Sequence, residues 1–193
     1  MTVLILGLIL FLGVHSLRIF AEGWRSAQIA QRGEGAWKGL YSVVSIVGFG
    51  LIIWGYGMAR EQPVVLWAPQ LWARHLAALL MVFAFILLAA AYVPKNGIKA
   101  WVHHPMVLGV KVWALAHLLA NHTLADLLLF GSFLVWAVLD FRAARQRDRA
   151  GQVRYPDGTL GGTLGAVVGG IVVWAVFAFW AHGWLFGVTP FGR

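Results

Sequence analysis

The chain of 193 residues contains no cysteine, and charged residues make up only 11% of it. The absence of cysteine excludes disulfides, thiolate nucleophiles, cysteine-held iron–sulfur clusters and cysteine-ligated haem. A bound metal must therefore use histidine or oxygen ligands. Acidic residues are scarce, seven against fifteen Lys and Arg, and none falls in the middle of an apolar run. The sequence contains no paired carboxylates, HExxH motif, catalytic triad or phosphate-binding loop. The motifs that would indicate a hydrolase or a nucleotide-binding enzyme are therefore missing.

Apolar residues, in contrast, make up 61% of the chain, which also has 11 tryptophans. This composition is far from that of a soluble domain and typical of an integral membrane protein. A helix of about 20 apolar residues crosses a hydrocarbon core of roughly 30 Å. The runs that reach or approach this length are Thr2 to Phe20, Gly39 to Met58, Leu71 to Val93, Pro105 to Ala120, Leu124 to Leu139 and Gly161 to Val188. We predict an all-α fold, a polytopic membrane helix bundle of about six transmembrane helices forming one domain over residues 1–193.

The basic residues are distributed unevenly about these runs. Eleven of the fifteen Lys and Arg residues lie in or beside the segments after the first, third and fifth runs, and three lie on the opposite side. Under the positive-inside rule, this bias predicts a multi-pass protein of a bacterial inner membrane with both termini in the periplasm. The net charge of +8 then reflects orientation on an anionic leaflet. Membrane lipid is the expected partner, and nucleic acid is not.

Three histidines, His15, His117 and His182, lie within the predicted spans. An ionisable side chain in hydrocarbon costs at least about 2 kcal/mol, so its presence indicates a function. Each histidine alone has an ordinary alternative, namely a buried ring that bonds to a neighbouring carbonyl or hydroxyl. Three in one small bundle favour a shared site, and neutral histidines that face inward in a helix bundle can ligate haem.

Four further ionisable residues lie in or at the ends of the spans. Lys111 has no acidic partner in the middle of any run, so an anionic ligand such as a haem propionate or a lipid headgroup would suit it. Arg18 follows His15 by one helical turn, and Arg74 and His75 open the third span at its outer end. The lysine and the two arginines have an alternative, because long basic side chains can extend to the headgroups. We treat all four as candidate cofactor-binding residues.

The arrangement of these residues resembles a known family. The segments that carry the resemblance are "LGLILFLGVHSLRIF", "GAWKGLYSVVSIVGFGLIIWGYG", "AYVPKNGIKAWVHHPMVLGVKVWALAHLLAN", "LLLFGSFLVWAVLD" and "FWAHGWLFGV". Together they resemble the NnrU family along nearly the whole chain. That family comprises bacterial multi-span membrane proteins associated with denitrification and nitric oxide metabolism. The 15-cis-zeta-carotene isomerases, which carry haem b and isomerise a carotenoid double bond without net redox change, resemble the chain more weakly.

The resemblance implies roles for individual residues. "GVHS" matches the first-helix motif of the isomerases, so His15 is similar to one axial haem ligand, and the spacing of "HPMVLGVKVWALAH" makes His117 similar to the other. His104, in the HP element, is a candidate catalytic residue or only a helix cap. The isomerases have a cysteine three residues before the second ligand, whereas this chain has Ala114. A ligand switch that depends on that cysteine is therefore not expected here.

The depths calculated from the helical rise per residue do not decide which histidine is the second haem ligand. With 1.5 Å per residue, His15 lies roughly 9 Å from the inner edge of the membrane and His117 roughly 18 Å, whereas two ligands of one iron need similar depth. Tilt can reconcile the two depths; otherwise His117 pairs with His75 or His182. The resemblance implies a haem b protein, either an isomerase acting on a lipophilic polyene or a sensor or redox component of nitrogen-oxide respiration. The alternatives are a membrane assembly factor and an S-adenosylmethionine-dependent methyltransferase, whose HP motif is similar but whose C-terminal glutamate this chain lacks.

Overall fold

The computed structural model describes residues 1–191, and in that range the chain is helical, with two isolated β-bridges and no strand. The predicted all-α membrane fold is confirmed. The helices, in chain order, are α1 (Thr2–Phe20), α2 (Glu22–Arg32), α3 (Glu34–Glu61), α4 (Leu71–Tyr92), α5 (Gly97–Val102), α6 (Pro105–Ala120), α7 (Leu124–Ala150), α8 (Leu160–Val176), a π-helical turn (Phe177–Ala181) and α9 (His182–Phe186).

By length and composition, five helical segments of the described chain can cross a membrane. They are α1, α3, α4, α7 and the continuous stretch from α8 to α9. The sixth predicted span, α6, begins at Pro105 as expected but has 16 residues. At 1.5 Å per residue it is about 24 Å long, which is shorter than the hydrocarbon core. Helix α7 is longer than predicted, because it continues from Leu139 to Ala150.

Helix α2 lies between the first two apolar runs, where no helix was predicted. It has no buried residue, and its polar and apolar side chains lie on different faces. Gly33, with φ +83°, separates α2 from α3 in a backbone conformation that side chains with a Cβ rarely adopt. The indole of Trp24 packs edge to face on Trp37 of α3 at 5.9 Å. This amphipathic pattern is typical of a helix at a membrane surface.

The described chain divides into two compact units. Unit 1 comprises Met1–Trp67 and His122–Asp140, and unit 2 comprises Ala68–Asn121 and the residues from Phe141 onward. Helix α7 contributes to both units. The expectation of a single transmembrane domain over residues 1–193 stays a prediction.

In unit 1, glycines let α1 and α3 pack backbone to backbone. A Cβ on Gly7 would lie 2.6 Å from the Ile52 nitrogen, and one on Gly48 would lie 2.8 Å from the Phe11 nitrogen. A Cβ on Gly55 would collide with the backbone of Leu4, whose own side chain is fully buried. Small residues at such contacts favour helix association in lipid, where close packing replaces the hydrophobic effect. These glycines set how α1 is held, and therefore where His15 lies in unit 1.

The beginning of α7 is fixed by a capping box. Asp126 accepts hydrogen bonds from the Thr123 backbone N–H at 3.0 Å and from its hydroxyl at 2.6 Å, while the Asp126 N–H donates back to that hydroxyl at 3.3 Å. The other carboxylate oxygen accepts a hydrogen bond from the Tyr56 hydroxyl at 2.5 Å. Asp126 is only 6% exposed, so this carboxylate is buried and fully bonded.

In unit 2, α4 packs against α6 and α8. A Cβ on Gly109 of α6 would lie 3.2 Å from the Ala84 carbonyl oxygen, and one on Gly170 of α8 would lie 2.5 Å from the Ile86 Cα. The small-residue spacing of Gly165, Gly169 and Gly170 therefore has one close-packed position, because a Cβ on Gly169 would meet open space. Close approach of α6 to α4 positions the segment from His104 to His117.

The connection between α4 and α5 is tied to the start of α8. Asn96, 2% exposed, donates to the carbonyls of Ala90 and Val93 and accepts from the Lys99 N–H. The Thr159 N–H donates to the Lys95 carbonyl at 2.7 Å. These bonds satisfy buried backbone groups that would otherwise be left without partners. They hold the end of unit 2 at which His103 and His104 lie.

Candidate functional site

His15 lies in α1 with its ring orientation fixed by its own helix. The Nδ1 atom is 2.6 Å from the carbonyl oxygen of Phe11, one turn earlier. A carbonyl can only accept a hydrogen bond, so Nδ1 carries the proton and, in the neutral ring, Nε2 carries the lone pair. Within residues 1–191 no hydrogen bond engages Nε2. This is the tautomer that an axial metal ligand requires.

Aromatic rings surround His15 in unit 1. Phe11 stacks on the imidazole with 4.2 Å between ring centroids, Tyr41 lies at 5.1 Å, and Trp136 meets it edge-on at 6.1 Å. Trp136, Ser16 and Gly131 are among the residues that line a neighbouring groove of about 480 Å³ between α1 and α7. The Trp136 indole N–H is buried and has no hydrogen-bond acceptor in the described part of the chain. His15 is therefore half-buried in an apolar, aromatic setting.

Arg18 does not share that setting. Its side chain is 58% exposed, and its Nε lies 3.9 Å from a carboxylate oxygen of Glu22. Glu22 also bonds Arg25 at 3.0 Å, so the three side chains form one charged cluster where α1 meets α2. The sequence interpretation of Arg18 as a cofactor-binding residue stays a prediction, and the headgroup alternative agrees better with its exposure.

His117, in α6 of unit 2, repeats the geometry of His15. Its Nδ1 lies 2.9 Å from the carbonyl oxygen of Trp113, one turn earlier, and the Trp113 ring packs beside it at 5.2 Å. The same reasoning assigns the proton to Nδ1 and the lone pair of the neutral ring to Nε2. Both histidines that the family resemblance matches to axial ligands thus have the ring nitrogen pattern of a metal ligand.

Lys111 places its ammonium group over the ring of Phe141, 4.6 Å from the ring centroid. A cation over an aromatic face gains roughly 0.5–2 kcal/mol, depending on how far the pair is removed from water. The protein itself thus supplies a partner for this charge. The lack of an acidic partner is therefore a weaker argument for an anionic ligand at Lys111. The assignment of Lys111 as a cofactor-binding residue stays a prediction.

The remaining candidate ligands lie near the start of α4 and at the start of α9. His75 is exposed at the start of α4, and the neighbouring Arg74 donates to the Pro190 carbonyl at 3.4 Å. His182 follows the π-helical turn, and its Nδ1 bonds the Val188 carbonyl at 2.6 Å. Arg74 and His182 therefore both hold the segment from Val188 to Pro190. Their cofactor-binding roles stay predictions.

A strained turn places His103 and His104. His103 has φ +68° and ψ −47°, and the His104 N–H bonds the Val102 carbonyl at 2.8 Å, which together define a γ-turn centred on His103. Such a conformation costs about 1–3 kcal/mol in a residue with a Cβ and is found chiefly at functional sites. His104 is the N-cap residue of α6, but its side chain makes no capping hydrogen bond. The helix-cap alternative therefore explains its backbone and leaves its side chain unexplained.

Both imidazoles are directed at one carboxylate oxygen, Oδ2 of Asp148. His104 Nε2 lies 2.8 Å from it, the Tyr155 hydroxyl 3.2 Å, His103 Nδ1 3.5 Å and Arg145 Nη1 3.7 Å. The Asp148 side chain is only 12% exposed. The Nδ1 atom of His103 is buried and makes no hydrogen bond in the described chain, and its ring packs at 4.2 Å from that of Tyr155.

Tyr155 acts as a donor in this cluster, which we call the Asp148 cluster. Removal from water raises the pKa of the Tyr155 phenol, and the negative charge of Asp148 raises it further. The hydroxyl therefore keeps its proton and donates a hydrogen bond to the carboxylate. The sequence analysis missed Asp148 and Tyr155, which lie 44 and 51 positions from His104. Both residues lie in or after the basic end of α7, whose Lys and Arg residues contributed only to the predicted orientation in the membrane.

The described residues do not form a metal centre of three or more ligands. Among residues 1–191, no group of three His, Cys, Asp or Glu side chains is arranged to hold a metal ion. Haem requires only one or two protein ligands, so this result is compatible with axial ligation by single histidines. The Asp148 cluster is then best described as a set of hydrogen bonds and close charge contacts.

Comparison with known proteins defines the family. Searches of curated proteins and of solved structures gave no significant match. The family model described as NnrU protein matches residues 3–190, which is nearly the whole chain. The match covers every helix described above and the three residues His15, His104 and His117. The chain is a membrane protein that belongs to the NnrU family.

Proposed function

We propose that this NnrU-family protein binds haem b in the membrane and that His15 would hold the iron of the haem. The observation that carries the proposal is the hydrogen bond from His15 Nδ1 to the Phe11 carbonyl, which leaves the Nε2 lone pair for iron. Ligating histidines commonly donate their other ring nitrogen to a carbonyl or carboxylate, which fixes the ring and makes it more basic.

The surroundings of His15 also suit a haem macrocycle. Phe11, Tyr41 and Trp136 present aromatic surfaces around the imidazole, and a porphyrin is a large apolar ring that packs well on such surfaces. The groove beside Trp136 lies among residues of two spanning helices. An apolar shell limits access of water to bound iron and influences its redox potential.

His117, considered by itself in unit 2, is a further candidate haem ligand, on the basis of its bond to the Trp113 carbonyl and the family resemblance. When bound, haem would supply an iron that can bind a nitrogen oxide or polarise a double bond of a lipophilic polyene. The protein residues would orient the ring and exclude water. We propose a role in denitrification and nitric oxide metabolism, or in isomerisation of such a polyene, because the family resemblance implies these activities.

Replacing His15 or His117 with alanine should reduce haem retention at least tenfold, because a haem without an axial ligand is held by apolar contacts alone. The measurement is the ratio of the Soret band to the 280 nm band of protein purified in detergent from cells supplied with haem precursor. The oxidised and dithionite-reduced spectra would show whether the iron is six-coordinate and low-spin. Added imidazole should partly restore the band in each variant.

The matched control is His75→Ala, which removes an exposed histidine of a spanning helix and should retain the full Soret band. All variants should insert into the membrane at wild-type levels. A wild-type protein with no Soret band, even after haem addition, contradicts the haem proposal. Normal haem content in both His15→Ala and His117→Ala contradicts the ligand assignment alone.

We also propose that α6 crosses the membrane as a sixth, shorter span, so that both termini face the periplasm of a bacterial inner membrane, as the Lys and Arg bias indicates. The chain has no cysteine, so single introduced cysteines can be labelled without background. Ser26→Cys, on exposed α2, should react with a membrane-impermeant maleimide only after cell lysis. Gln62→Cys, at the exposed end of α3, should react in intact cells with a permeabilised outer membrane. The reverse labelling pattern would contradict the proposed orientation of α1 and α3 in the membrane.

A further inference from the structure

The Asp148 cluster has the geometry of an acid–base site. His104 Nε2 lies 2.8 Å from the Asp148 carboxylate, which accepts hydrogen bonds when ionised. In the neutral ring Nε2 therefore carries the proton and Nδ1 the lone pair. No hydrogen bond within residues 1–191 engages His104 Nδ1, and the side chain keeps 22% of its surface exposed. An imidazole oriented by a carboxylate, with its other nitrogen available, is the arrangement of a general base.

The strained backbone that is needed to form the Asp148 cluster supports a function for this cluster. The γ-turn at His103 holds two consecutive histidines against the same carboxylate, at 2.8 Å and 3.5 Å, in a backbone conformation that needs compensation from its surroundings. The Tyr155 hydroxyl and the Arg145 guanidinium also lie at the Asp148 carboxylate, and the Phe141 ring lies edge-on to His104. A solitary helix cap would need none of them.

The position of the Asp148 cluster at the end of α7 indicates from which part of the membrane a ligand would reach it. Helix α7 has 27 residues, about 40 Å at 1.5 Å per residue, so it exceeds a hydrocarbon core of roughly 30 Å by about two turns. Asp148 is in its last turn, and His104 begins α6. The cluster therefore belongs to the membrane–water interface, where hydroxyl groups of water and of amphipathic molecules are both present.

We propose that Asp148 is the positioning residue of an acid–base site in which His104 Nδ1 takes a proton from a hydroxyl ligand at the interface. In this step the O–H bond breaks, an N–H bond forms at Nδ1, and the electron pair stays on the ligand oxygen. The ring becomes positively charged beside the Asp148 carboxylate, and the proton returns by the reverse path. Tyr155 donates to the same carboxylate and holds it toward His104. The site needs no haem and goes beyond the proposed haem function.

The test is the ring tautomer of His104, measured by nitrogen NMR on full-length protein with ¹⁵N-labelled histidine, with assignment by His104→Gln. Wild-type protein should show one neutral form with Nε2 protonated. In Asp148→Asn that single form should be lost, because a side-chain amide can donate as well as accept. Asp157→Asn, an exposed aspartate of the next segment, is the matched control and should keep the wild-type tautomer.

Two further variants and one probe complete the test. Tyr155→Phe leaves the carboxylate in place and should produce a minor Nδ1–H form, so the proposal is testable even if Asp148→Asn fails to fold. A saturable change in the Nδ1 resonance on addition of glycerol, lost in Asp148→Asn, identifies an alcohol ligand. If the wild type keeps its single tautomer and the Nδ1 resonance does not respond to glycerol, the hydroxyl ligand is water and not an alcohol.

The proposal is overturned if wild-type His104 carries its proton on Nδ1, or if folded Asp148→Asn keeps the wild-type tautomer. Haem content is the separate readout for the proposed function. Asp148→Asn should retain the wild-type Soret band, because neither His15 nor His117 lies within the Asp148 cluster. A wild type without haem but with the expected tautomers would contradict the haem proposal alone.

Discussion

Gly55→Ala should destabilise the protein by about 2–3 kcal/mol, because the added Cβ meets backbone atoms that no rotamer change can move. The Cβ would overlap the backbone of Leu4 and Val3 where α1 and α3 are in closest contact. Away from such a contact, the same change in a helix is favourable by roughly 0.5–1 kcal/mol. The expected sign is therefore opposite to that of an ordinary glycine-to-alanine replacement. The measurement is reversible unfolding in mixed detergent micelles with increasing dodecyl sulfate.

Gly57→Ala provides the matched control for this prediction. Gly57 lies two residues further along α3, and a Cβ there would meet nothing within 4 Å. This variant should be as stable as the wild type or slightly more so. Equal stability of the two variants would show that α1 and α3 are not held together at Gly55.

Asp126→Ala should cost about 3 kcal/mol, because it removes a helix cap and leaves buried donors without an acceptor. The Tyr56 hydroxyl and the backbone and hydroxyl groups of Thr123 all donate to this carboxylate. The loss should be accompanied by faster proteolysis of the connection between α3 and α4, because the Val64–Leu66 backbone in that connection pairs with residues next to Thr123. Detergent unfolding and limited proteolysis measure the two effects.

Two variants calibrate the Asp126 result. Tyr56→Phe removes one donor and leaves the cap, so it should cost about 1 kcal/mol. Asp157→Ala alters an exposed carboxylate and should change stability by no more than about 0.5 kcal/mol. If Asp126→Ala unfolds at the same dodecyl sulfate fraction as Asp157→Ala, the carboxylate does not hold the start of α7.

Several features were predictable because they depend on local sequence. The start of α4 at Leu71, the start of α6 at Pro105 and the N-cap position of His104 agree with the structure. Apolar runs and a proline at the first turn are local signals. The capping box from Thr123 to Asp126 is a signal of the same kind, and the sequence analysis passed over it.

Other features could not be predicted in this way. Helix α2 combines polar and apolar residues in a segment with two nearby glycines, and the contact of Trp24 with α3 is not encoded in either segment alone. Lys111 was expected to lack a partner because only acidic residues were considered. Its actual partner is the ring of Phe141, which depends on the mutual rotation of α6 and the end of α7.

The membrane class, most span boundaries and the family follow from the amino-acid sequence, because hydropathy and motif spacing are properties of contiguous residues. The same is true of His15, His104 and His117 as candidate site residues. The contacts of these side chains, in contrast, depend on how the helices pack. Asp148 and Tyr155 reach His104 across 44 and 51 positions because a γ-turn, a helix end and a connecting segment of unit 2 converge there. Such convergence follows from helix packing and rotation, which a periodic apolar pattern leaves undetermined.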